Sequence, residues 1–221
     1  ALLAARCGRA VVLVTALADD PAAARLAALL TAEGVSLHAL TLDGPTPEKV
    51  RLRSGGRTLL RLDRGGEPAR CGQPAAPALG ALADADVILV SDYGRGVARQ
   101  PALRAAIAQA RAPVVWDPHP RGPAPVAGAR LATPNEAEVR HLIGAAHDQD
   151  RLAAAIRGAR ELRRRWRSGA VAVTMGGAGA LLSHAGPAPL VVPPPARVDG
   201  DSCGAGDRFA AAAAAALADG A

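Results

Sequence analysis

The sequence predicts an α/β fold in three layers: a mainly parallel central sheet, helices on both of its faces, and a small β-hairpin flap standing off it. Three observations carry this expectation. Short apolar runs alternate with longer helical patterns along most of the 221 residues, the rhythm of successive βα units. One stretch, about 46–63, breaks that rhythm with period-two alternation. Polar motifs rich in glycine and acid repeatedly follow the apolar runs, as at a sheet edge where strand carboxyl ends meet a ligand. At this length a single domain spanning 1–221 is expected.

Taken in order, residues 10–15 read as a first buried strand, and 21–33 as a helix with Pro21 early and Gly34 as its stop. A strand follows at 37–41. In the flap, Val50 and Leu52, then Leu60 and Leu62, alternate with polar or charged residues around Ser54-Gly55-Gly56, the pattern of a hairpin with one apolar face. Residues 64–77 read as a Gly/Pro-rich loop. The βα rhythm then resumes with strands at 87–91, 114–117, 130–133 and 170–174. Helices are expected near 98–111, from about Asn135, and over 150–168. Residues 180–183 and 190–192 suit a terminal hairpin, and a last helix starts at the glycine motif after Cys203.

Composition narrows the function. Apolar residues make up 50% and aromatics 2%, so the core is built from Ala, Val and Leu. Lys49 is the only lysine against many arginines, a pattern of GC-rich coding, so the net charge of +6 does not by itself indicate nucleic acid. No basic run interleaves with the aromatics that single-strand binders stack on, and no nucleic-acid partner is expected. The densest basic cluster, Arg163-Arg164-Arg165 with Arg160 and Arg167, reads as the solvated face of one helix. Cys7, Cys71 and Cys203 are odd in number, widely spaced and without metal-ligand spacing, implying a reducing, cytoplasmic compartment. A small buried residue is the expected role of Cys203. No apolar run is long enough to span a membrane. The chain opens without methionine and stops inside an alanine run, so truncation at both ends is expected.

The most informative stretch is 199–209, Asp-Gly-Asp-Ser-Cys-Gly-Ala-Gly-Asp-Arg-Phe. Its glycines let backbone N–H groups approach a ligand, and the helix start leaves donors with partial positive charge. One reading is an anion cradle at Gly204, Ala205 and Gly206 with Asp207 as a general base at its lip; the other is a glycine turn with Asp207 as a helix-capping acid. Four further motifs follow predicted strands: Ser91-Asp92-Tyr93-Gly94-Arg95-Gly96, Asp117-Pro118-His119, Thr133-Pro134-Asn135-Glu136-Ala137-Glu138, and Thr174-Met175-Gly176-Gly177-Ala178-Gly179. Each also has a plain structural reading. Asp92 and Asp117 can cap turns, Asn135 and Glu138 can form a capping box, and Gly176 to Gly179 can be a hairpin turn.

In their order these motifs resemble the ribokinase-like (PfkB) family of sugar kinases. The segment from Asp201 to Asp207 resembles its D-T-T-G-A-G-D signature, Thr133-Pro134-Asn135 with Glu138 its T-P-N-x-x-E, and Val173-Thr174 with Gly176 and Gly179 its V-T-x-G-x-x-G. Within the family the likeness is greatest to the heptose 7-phosphate kinases of ADP-heptose synthesis, through Ser91 to Gly96, Asp117-Pro118, and the flap closing on Arg61-Leu62-Asp63. The resemblance implies ATP and Mg2+, with Asp207 taking a proton from a sugar hydroxyl and Gly204, Ala205 and Gly206 holding the transferred charge. It implies Asn135 and Glu138 near magnesium and phosphates, and Thr174, Gly176 and Gly179 beside the nucleotide. Asp201 matches a position near which some members bind a monovalent cation, so Glu138 and Asp201 are the metal candidates. Lys49, Arg51, Asp92 and Asp117 are the candidates for the sugar or sugar-phosphate substrate. A homodimer through the flap is also implied. The alternatives are a fructose- or ribose-type kinase and a non-catalytic nucleotide-binding protein derived from a kinase. Cys203 stands where the family has threonine, and Arg208 where it has a small hydroxyl residue; the family's early substrate-gripping aspartate, its G-G-x-x-x-N stretch and its adenine-closing segments are not in this sequence.

Overall fold

A computed structural model describes residues 1–55, 57–65, 69–144, 150–194 and 203–221. The chain divides into two compact units, Ala1–Ala81 with Arg95–Leu103, and Leu82–Gly94 with Arg104–Ala221.

The first unit opens with α1 (Leu2–Arg6), then β1 (Val12–Leu17), α2 (Pro21–Ala32) and β2 (Ser36–Thr41). β1 and β2 pair in parallel, Val14 opposite His38. α2 starts where Asp20 Oδ1 accepts from the Ala23 N–H at 2.8 Å with Pro21 in the first turn, and the chain leaves it through Gly34 at φ 72°. Asp20 Oδ2 also accepts from the Thr46 N–H at 2.8 Å, pinning the flap entry. The flap is an antiparallel pair, β3 (Glu48–Ser54) and β4 (Arg57–Arg64). Val50 faces Leu62 and Leu52 faces Leu60, so the alternation read from sequence sets the register, with a bulge after Leu52. α3 (Ala76–Ala83) was not expected. Pro77 stands in its first turn, where a fixed φ suits a helix start, while Gly80 is a poor former that tertiary burial, as of Ala78, overrides.

The second unit contains β5 (Ile88–Ser91), most of α4 (Pro101–Gln109), β6 (Val114–Asp117), β7 (Leu131–Ala132), α5 (Glu136–Ile143), α6 (Arg151–Trp166), β8 (Ala170–Thr174), β9 (Ala180–Ser183), β10 (Leu190–Val192) and α7 (Ala205–Ala218). The expected helix at 98–111 is shorter, because residues 97–99 form a 3-10 turn and Pro101 sets the first helical turn. The sheet order is β10-β9-β8-β7-β6-β5, parallel from β5 to β8 and antiparallel at β9 and β10. Its core gathers Val139 of α5 and Ala155, Ala159, Leu162 and Trp166 of α6 onto Val171 and Val173 of β8. Spacings of three, four and seven residues along α6 turn that stripe inward. Gly158 allows the close approach, since a Cβ there would lie 2.4 Å from Val139 Cγ1. This packing fixes α5, and with it the polar turn that precedes it. Cys203 is exposed, against the burial expected for it, because it lies at the start of the turn leading into α7.

Candidate functional site

Parallel strands β5 to β8 bring their carboxyl ends to one edge of the sheet. Ser91 pairs with Asp117, so Asp92 and Asp117 emerge side by side, and the Asp92 N–H donates to the Asp117 carbonyl at 2.9 Å. Asp92 is buried at 8% exposure and its Oδ1 accepts from the Gly94 N–H at 2.7 Å. The turn-capping reading of Asp92 is thus realised in the geometry. Gly94, at φ 66°, sits so close to His119 that a Cβ would lie 2.5 Å from its Nδ1. Thr133, at the end of β7, donates through Oγ1 to Asp117 Oδ1 at 2.9 Å.

α5 begins with a complete capping box. Asn135 Oδ1 accepts from the Glu138 N–H at 2.9 Å, and Glu138 Oε2 accepts from the Asn135 N–H at 2.8 Å. Asn135 also forms a parallel bridge with Thr174, whose N–H donates to the Pro134 carbonyl at 3.1 Å. Gly176 opens the following turn at φ 58°, and Gly179 leaves it at φ 91°. A Cβ on Gly179 would lie 2.1 Å from the Val192 carbonyl oxygen, so the strand beside it demands glycine.

α7 starts at Gly204, which takes φ 83° and offers no side-chain cap. The N–H groups of Gly204, Ala205, Gly206 and Asp207 are those a helix start leaves without an intrahelical acceptor. Asp207 lies in that first turn, and its Oδ1 accepts from the Tyr93 hydroxyl at 2.5 Å.

These acids act on one another. Burial raises Asp117 to about 6; the bond from Thr133 opposes the shift, and the charges of Glu138, Asp207 and Asp92 add to it. Burial also raises Glu138, against the bonds from Asn135. Burial, then the Asp207 carboxylate, holds the Tyr93 hydroxyl protonated as a donor. The edge therefore combines mutually repelling carboxylates with the donor-rich start of α7, an arrangement suited to a cation and an anionic group bound together. Among the described residues no group of three His, Cys, Asp or Glu side chains is placed to cage a metal. The oxygen donors fit a magnesium ion that keeps water and phosphate ligands and takes one or two carboxylates.

Of the residues expected from sequence, Asp92, Asp117, Asn135, Glu138, Thr174, Gly176, Gly179, Gly204, Ala205, Gly206 and Asp207 all belong to the second unit. Lys49 and Arg51 belong to the first, exposed on β3 and alternating with Val50 and Leu52. Asp201, with Asp199, Gly200 and Ser202, lies outside the described residues. Tyr93 and Thr133 gain contacts that sequence did not assign, although both stand inside recognised motifs. Glu136 also stands inside a recognised motif with no role assigned to it, and Arg151 lies outside every motif. Arg151 Nη2 lies 2.7 Å from Glu136 Oε2 and donates to the Met175 carbonyl at 2.8 Å, tying the start of α5 to the turn after β8.

Comparison with known proteins follows the same lines. The pattern of the pfkB family carbohydrate kinases matches residues 1–221. The chain is 52% identical to the bifunctional protein HldE of Streptomyces coelicolor over all of its own length and 46% of that protein's. It is 39% identical to HldE of a Caulobacter species over 99% of its length, again 46% of the relative. The chain thus spans about half the length of these relatives. All of it superposes on 74% of phosphofructokinase-2 from Escherichia coli, solved with substrates and products, at a TM-score of 0.72 and 17% identity. It likewise covers 72% of the ribokinase of Thermotoga maritima, at 0.71 and 18%. Strand-end motifs, sheet order and full-length sequence match agree, and the chain belongs to the pfkB family of carbohydrate kinases.

Proposed function

We propose that this chain carries the catalytic edge of an ATP-dependent sugar kinase, most like a heptose 7-phosphate 1-kinase. The observation that carries the reading is the position of Asp207, a carboxylate in the first turn of α7, held by Tyr93 and facing the acids of β5, β6 and α5. In this reading Asp207 accepts the proton of the sugar hydroxyl as it attacks, worth roughly 10²- to 10⁴-fold in rate. The N–H groups of Gly204, Ala205 and Gly206 stabilise charge on the group in transfer. Asp92 and Asp117 orient the sugar, and Thr174, Gly176 and Gly179 line the nucleotide. Glu138, near Asn135, is the described carboxylate that would reach a magnesium ion, which when bound neutralises phosphate charge. Asp201 is the candidate for a monovalent cation; potassium accompanies one solved form of E. coli phosphofructokinase-2. Both units then belong to one kinase domain. Lys49 and Arg51 would meet a phosphorylated substrate, and the exposed Leu52, Leu60 and Leu62 suit the flap to a second copy.

The test compares Asp207→Asn with wild type in the protein as its native cell makes it, following ADP release with magnesium-ATP and the heptose phosphate. The variant should lose turnover by two to four orders of magnitude while ATP affinity stays within a few fold. Unchanged turnover refutes the role of Asp207. A panel with ribose and fructose 6-phosphate, ranked by kcat/KM, assigns the acceptor, with the heptose phosphate expected first.

A further inference from the structure

The opposite edge of the same six-stranded sheet holds a second polar constellation. β8 starts at Ala170 just after α6 ends, and β9 returns beside it with Ser183 opposite Val171. At that edge lies a pocket of about 600 Å³, within the span typical of small-ligand sites. Arg157, Arg160, Arg163, Arg164 and Arg167 line it, against the single acid Glu161. Glu161 is already engaged by Arg164 at 2.5 Å and by Arg165 at 3.6 Å.

Arg157, Arg160, Arg164 and Arg167 are exposed, as the reading of a solvated helix face has it, but that reading leaves the buried groups behind them unexplained. Ser168 lines the pocket at only 5% exposure, and neither its Oγ nor the buried Arg163 Nε finds a partner among the described residues. His184 Nδ1 accepts from the Gly186 N–H at 2.9 Å, which puts the imidazole proton on Nε2 and adds a donor. Arg167 takes φ 54° at the end of α6, the one non-glycine residue among those described with positive φ. Glycine or asparagine is the ordinary occupant there; an arginine instead keeps a cation on the pocket wall. The carboxyl end of α6 adds only about half a negative charge.

We propose that this edge is an anion site for a compact ligand carrying two or more phosphates. Guanidinium groups bind phosphate oxygens in pairs, and five of them line this pocket around one already engaged acid. His184 is the single ring in the lining, and no aliphatic side chain or second aromatic is there to sandwich a base or hold a lipid tail. The inference rests on the second unit's own geometry and not on the kinase reading.

The probe is inorganic tripolyphosphate, titrated into the ¹⁵N-labelled chain while amide shifts are followed. Saturable shifts are expected at Arg163, Arg167, Ser168 and Gly186, weakening as salt rises. In the double variant Arg163→Gln/Arg167→Gly those shifts should require at least tenfold more probe. Glycine suits the backbone at 167, so its melting temperature should hold or rise. Shifts at Ala205 and Gly206 report the kinase cradle separately and should not change in the variant. Still amides around Ser168, wild-type affinity in the variant, or a response only to RNA would each overturn the proposal.

Discussion

Replacing Asp117 with asparagine should stabilise the protein at neutral pH and leave it unchanged near pH 4. Asp117 sits about two pH units above its ordinary value, at about 6 against 3.8. An acid raised in the folded state binds its proton more tightly there than in the unfolded chain. The stability it confers is full below 3.8 and is lost as pH rises through 6. The wild type therefore gives up about 3 kcal/mol across that window on this group's account. Asparagine has no charge to bury, keeps an oxygen to accept from Thr133 Oγ1, and turns an amide toward acids that can accept from it. Allowing for imperfect amide geometry, about 2 kcal/mol should remain at pH 8. For a domain of this size that is about 4–8 °C in Tm. Thermal melts of both proteins at pH 4, 6 and 8 check it. A difference that does not vary with pH, or a variant less stable at every pH, would refute the cost assigned to burying the Asp117 charge beside Glu138, Asp207 and Asp92. Turnover in the same variant should fall, since strain of this kind is retained where a site needs charge.

Two further outcomes follow from contacts at and behind the site. Tyr93→Phe removes the hydroxyl that fixes Asp207; kcat should drop about tenfold with KM for ATP within about twofold, a split that a general loss of folding would not produce. Gly158→Ala puts a methyl against Val139 Cγ1 and Ile143. The overpacking should outweigh the gain in helix propensity and cost about 1–2 kcal/mol in urea unfolding.

Much of this was legible in the chain itself. Period-two alternation in the flap put Val50, Leu52, Leu60 and Leu62 on one face, and the pairs Val50 with Leu62 and Leu52 with Leu60 agree with it. Pro21, Gly34, Asn135 and the glycines at 176, 179 and 204 announced where helices and turns begin and end, because their backbone preferences are local. The motif order, being a property of sequence, also placed the chain in its family. Other features were decided only when distant segments met. α3 forms despite Gly80, and Cys203 is exposed. Arg151 crosses from α6 to Met175, and the weakened acidity of Asp117 comes first from its burial and then from Glu138, Asp207 and Asp92. Desolvation and charge repulsion depend on distance in space, and neighbours in the chain do not determine it.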